Sequence, residues 1–158
     1  MKTIRFYYFS LVICIAITGL LGCTFERVIE PFPKKNLAEG WTYSDSLVFT
    51  DINCGENEYL KLRISFSDTF GFENIYLKGN FWQSRDSVIS QVFSIQLADK
   101  FGNWLGNCTS SICTLDYDLT KANTLLIRDK ISISFSQWTR DSLLTGVSSL
   151  QLVCSKKD

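Results

Sequence analysis

From Trp41 onward the apolar and polar residues alternate with a period of two. In the run from Tyr59 to Ser67, Leu60, Leu62, Ile64 and Phe66 share one face, and Lys61, Arg63, Ser65 and Ser67 share the other. This is the pattern of a half-buried β-strand, because successive side chains of an extended chain point to opposite sides. Ile131, Ile133 and Phe135 alternate with serines in the same way, and Phe93, Ile95 and Leu97 alternate with Ser94 and Gln96. Asn74 to Trp82 reads as a further strand, and Leu150, Leu152 and Cys154 share a phase that turns Cys154 inward. Shorter strands are predicted over 46–51, 112–117 and 125–128. Stretches rich in Asp, Asn, Gly and Ser (68–71, 99–106 and 141–146) punctuate these runs. No 12-residue stretch shows a helical stripe, although 116–123 has room for one helical turn. Short alternating strands with such punctuation predict an all-β domain, a single antiparallel β-sandwich of jelly-roll-like or Ig-like order.

The first residues follow a different pattern. Lys2 and Arg5 precede an uncharged apolar run from Phe6 to Leu21, which ends in Leu20-Leu21-Gly22-Cys23. A positive head, an apolar stretch and a small residue before a cut describe an export signal. The run is about 16 residues, short of the roughly 20 that an uncleaved spanning helix needs. The cysteine after Gly22 resembles a bacterial lipobox, with Leu21 bulkier than is usual there. The resemblance implies cleavage before Cys23 and lipid on its sulfur and amine. The expected organisation is a signal over 1–22, a lipidated tether over 23–40 that contains Pro31 and Pro33, and a β-sandwich domain over 41–158. Such a protein sits in the cell envelope and faces the periplasm, with the outer membrane favoured over the inner.

Composition narrows the function. Loss of Lys2 and Arg5 leaves 14 basic against 16 acidic residues, and no basic cluster remains beyond the isolated pairs Lys34-Lys35 and Lys156-Lys157. Nucleic acid is not an expected partner, since phosphate contacts need a positive face. The chain has no histidine, which removes the commonest general base and metal ligand. No metal, no cofactor and no catalytic residues are expected, and the chain is read as a non-enzyme. The nearest acid candidates are Asp99 with Lys100, and Asp116 with Asp118. Beyond Cys14 and Cys23, four cysteines remain: Cys54, Cys108, Cys113 and Cys154. An even count in an oxidising compartment points to disulfides. Cys108 and Cys113 suit a small local loop, and Cys54 with Cys154 would then tie the start of the sheet region to its end. Free thiols and a four-thiolate zinc site are the alternatives.

Two segments stand out. In Leu97 to Gly106, Asp99 is placed to accept backbone bonds, while Gly102 and Gly106 permit a tight corner around Trp104. Gln137 to Gly146 contains Arg140 and Asp141 between two strands. Each reads first as a structural turn. The functional reading is a partner-binding loop formed by Asp99, Trp104 and Arg140, since an aromatic anchor on a rigid turn suits an interface. Four tryptophans (Trp41, Trp82, Trp104 and Trp138) also raise a carbohydrate-binding alternative. It requires at least two of them side by side on an open face.

These segments carry a family resemblance. LADKFGNWLG, followed by ISFSQWTRDSLLTGVSSLQL, resembles the gliding-motility lipoprotein GldH family of Bacteroidetes-type bacteria. The supporting residues run in order: Cys23, Trp41, Arg63 within its strand, the corner from Asp99 to Gly106, and Arg140, Leu144 and Gly146. Asn107-Cys108 and Trp138 depart from the family pattern. The resemblance implies a non-enzymatic envelope lipoprotein of a gliding-type machinery. It would be held to the bilayer through Cys23 and act through contacts with other envelope proteins.

Overall fold

A computed structural model describes residues 26–83, 88–122 and 130–156. The expected signal, Cys23 and the expected strand over 125–128 lie outside the described residues. In chain order the elements are β1 (Arg27–Ile29), β2 (Trp41–Thr42), β3 (Ser46–Ile52), β4 (Glu58–Ser67), β5 (Asn74–Trp82) and β6 (Val88–Gln96). There follow β7 (Asn107–Thr109), β8 (Ile112–Asp118), a helical turn α1 (Leu119–Ala122), β9 (Ile131–Gln137), β10 (Leu143–Leu144) and β11 (Val147–Lys156). The protein is all-β, and every strand pairing is antiparallel.

Two sheets face each other as a sandwich. One has the order β1-β11-β4-β8-β7 and the other β3-β9-β5-β6, with β2 and β10 as a small two-stranded ribbon. The alternation in the sequence explains the layering. Leu60, Leu62, Ile64 and Phe66 of β4 are fully buried, as are Ile133 and Phe135 of β9 opposite. Phe81, Phe93 and Phe135 meet at ring-centroid distances of 6.0–6.3 Å. Each large apolar side chain removed from water contributes about 1.5–3 kcal/mol. Among the described residues the helical turn α1 follows Asp118, whose carboxylate accepts the Thr120 backbone N–H at 2.9 Å as an N-cap does.

The expected tether is corrected over its described part. β1 pairs with β11, the Phe32 N–H donates to the Val48 carbonyl at 2.7 Å, and Leu37 is fully buried. A segment that forms ladder bonds and buries an apolar side chain belongs to the fold. The folded domain therefore includes residues 26–40 and does not start at 41. Three residues are too few to show a period, and the two prolines mask the rest.

The strands give the sandwich two ends. At one end lie the start of β1, the start of β4 and the end of β11, where Cys54 is joined to Cys154 across 100 residues of chain. At the other lie the loops 68–73, 97–106 and 138–146 with the β2–β10 ribbon. The ten residues of β4 run between the ends, a span of about 30 Å at the usual rise per residue.

Candidate interaction surface

The loop after β6 is built around Asp99. Its carboxylate accepts the backbone N–H of Phe101 at 2.8 Å and of Asn103 at 2.9 Å, and the Asn103 side-chain amide at 3.0 Å. Gly102 takes φ +82°, a conformation that costs glycine little. Its N–H bonds the Asp99 carbonyl at 3.0 Å. The Asn103 side chain, then the loop amides, stabilise the ionised form and hold Asp99 below the usual carboxylate range. An added Cβ at Gly106 would come within 2.5 Å of the Thr114 carbonyl oxygen, so the loop returns to β8 through a contact that only glycine allows.

Trp104 is half-buried, with its ring turned onto the core. Its ring packs edge-on to Phe66 at 5.1 Å, and its Nε1–H donates to the Asp68 carbonyl at 3.1 Å. The side chain this loop presents is Phe101, 78% exposed at the tip, with the Lys100 ammonium 4.9 Å from its ring centroid. A tryptophan with Phe66 and a carbonyl within reach gains more from packing inward than from solvent.

Gln137 organises the second loop, a role the sequence did not reveal. It is fully buried at the end of β9, donates to the Asp141 carbonyl at 2.8 Å and accepts the Thr139 N–H at 2.9 Å. Trp138 then turns outward against Tyr43 at 5.8 Å, with the Lys78 ammonium 5.1 Å from its ring. Arg140 is exposed on the same loop, and among the described residues the ion pairs do not include one with Asp141. Asp99, Trp104 and Arg140 thus lie at one end of the sandwich without forming a cluster among the described residues. The exposed side chains of that end are chiefly Tyr43, Phe72, Tyr76, Phe101, Leu105 and Trp138.

The tryptophans are not arranged side by side, as the carbohydrate-binding alternative requires of two of them. Trp41 is fully buried, with its Nε1–H on the Asp45 carbonyl at 3.0 Å, and Trp82 is half-buried on β5. Among the described residues no ring contact joins two tryptophans.

The acid candidates have structural partners. Asp99 holds its loop, and Asp118 caps α1. Asp116 receives Arg63 through two bonds of 2.7 Å, while Glu26 takes the same guanidinium at 2.8 Å. The Lys61 ammonium stands 3.6 Å from Glu26 and 3.8 Å from Asp116, and the Ser155 hydroxyl donates to Glu26 at 3.0 Å. The bond from Arg63, then that from Ser155, lowers the Glu26 pKa. The Asp116 carboxylate raises that of Arg63. Cys108 is joined to Cys113, and Cys54 to Cys154. Glu58 lies close to the second pair, but sulfurs bonded to each other are not thiolates and do not ligate zinc.

The sequence matches the GldH lipoprotein family over residues 32–152. The chain belongs to that family. As a lipoprotein, this GldH-family chain is a membrane-anchored protein of the cell envelope. No curated protein matches it. The residues that carried the resemblance are mostly those that shape the molecule: Trp41 and Leu144 in the core, Arg63 at the centre of the ion-pair cluster, and Asp99, Gly102, Trp104 and Gly106 in the corner. Among the described residues no helix is long and apolar enough to cross a membrane.

Proposed function

We propose that this GldH-family lipoprotein is a non-enzymatic component of a gliding-type envelope machinery and acts through protein contacts. Acyl chains on Cys23 hold it to a bilayer on the periplasmic side, in preference the outer membrane. The end bearing Phe101 and the Tyr43–Trp138 pair engages another envelope protein. One observation carries this reading: the chain enters the sandwich at the Cys54–Cys154 end, opposite the exposed Tyr43, Phe72, Tyr76, Phe101 and Trp138. Only three residue steps separate Cys23 from Glu26, a reach of about 10 Å. The lipid therefore belongs to one end and leaves the aromatic end uncovered. Aromatic side chains supply much of the energy of protein interfaces.

The test is the Cys23→Ala variant expressed in the native host. One acyl chain holds weakly, whereas two or three hold firmly. The variant should leave the membrane fraction after a salt wash, and the unaltered chain should stay. A variant that remains bound would sink the anchor. A carbohydrate ligand is the second reading, favoured by the exposed Tyr43–Trp138 pair. Quenching of Trp138 fluorescence by envelope polysaccharide would support it.

A further inference from the structure

Among the described residues the sandwich has four outer strands, and three have blunted edges. β1 and β7 are three residues each. β3 is irregular between Phe49 and Ile52, holds Asp51 at φ 54°, and has its Val48 carbonyl taken by Phe32. β6 is different. Its nine residues, Val-Ile-Ser-Gln-Val-Phe-Ser-Ile-Gln, pair with β5 without a shift in register and contain no charge, proline or glycine. Proteins ordinarily protect a long edge with such devices, because its unpaired backbone groups accept another strand.

The hydrogen-bond phase tells which groups face out. The Leu97 N–H bonds the Glu73 carbonyl, so the odd-numbered residues of β6 exchange bonds with β5. Val88, Ser90, Val92, Ser94 and Gln96 then turn their N–H and C=O groups to the open edge. Among the described residues no strand covers them. Val88, Ile89 and Val92 are 59%, 50% and 48% exposed.

We propose that β6 pairs with β6 of a second copy of this chain, antiparallel and centred on Val92. Two of the four pairs mirrored about that residue are identical, Ile89 with Ile95 and Ser90 with Ser94, whereas Gln91 mirrors Phe93 and Val88 mirrors Gln96. In this register Val92 meets Val92, Ser90 meets Ser94, and the exposed Ile89 covers Ile95 of its neighbour. No charge is buried, and the interface is self-complementary, as a two-fold dimer requires. The two four-stranded sheets become one of eight strands. Antiparallel pairing sends the two anchored ends to opposite ends of the pair. Both lipids reach one bilayer when the strands lie along it, and both aromatic ends stay open. This goes beyond the function proposed above and does not depend on its partner.

The test is Val92→Cys in the full chain, oxidised in the native envelope. Directly opposed residues of a hydrogen-bonded antiparallel pair have Cα atoms about 5.5 Å apart, within disulfide range. Val92→Cys should give a covalent dimer. Ser90→Cys alone should not, because Ser90 faces Ser94, and Ser90→Cys with Ser94→Cys should restore it. Val92→Lys, checked for folding by circular dichroism, should reduce the dimer seen by native mass spectrometry at least tenfold. Monomeric Val92→Cys, equal crosslinking by Ser90→Cys alone, attachment to a different protein, or an undiminished Val92→Lys dimer would each overturn the proposal.

Discussion

Asp99 and Arg63 show how single side chains shape this molecule. Asp99 ties a loop by accepting three hydrogen bonds, so Asp99→Ala should speed hydrogen exchange of the amides of Phe101 and Asn103 while the strands stay protected. The bonds lower its pKa. Their contribution is therefore present above the ordinary aspartate range and is lost as pH falls through the lowered folded value. Exchange of those two amides, corrected for intrinsic pH dependence, should rise only in that acid window. Arg63 is shared by Glu26 and Asp116. Arg63→Met should destabilise by about 1–2 kcal/mol, because it leaves Lys61 as the one cation beside two partly buried carboxylates, with the Ser155 hydroxyl still on Glu26. In urea unfolding, the added cost of Arg63→Met should shrink in an Asp116→Met background, as coupled residues require.

At the level of elements, the strands were legible where one face is buried along the whole run, as in β4, β5 and β9. The helical turn at 119–122 fell within the stretch that had room for it. β1 was not legible, because three residues show no period and its burial depends on a partner more than 120 positions away. The corner at 97–106 was readable as a turn from Asp99, Gly102 and Gly106. That Trp104 faces inward and Phe101 outward was not, because both are aromatic and only the position of Phe66 decides between them. Gln137 gave no signal, since a polar residue at a strand end is ordinarily exposed. The two disulfides should also differ in weight. Closing 100 residues constrains the unfolded chain by about 5 kcal/mol, and closing five by about 2 kcal/mol. Replacing Cys54 and Cys154 together by alanine should therefore lower unfolding stability more than replacing Cys108 and Cys113. Equal losses in denaturant titrations would contradict that order.

For the whole molecule, the two ends of the sandwich divide the work. The chain enters beside Cys154 and Glu58, and the exposed aromatics other than Phe32 gather roughly 30 Å away, a distance set by strand length. Photocrosslinking in intact cells tests that division most directly. A photoreactive residue is placed at Phe101 in one strain and at the exposed Glu56, beside the Cys54–Cys154 end, in another. The account predicts one defined envelope-protein adduct from position 101, lost when Trp138 and Tyr43 are also replaced by serine, and none of that mass from position 56. An adduct from position 56 alone, or the same adduct from both positions, would contradict it.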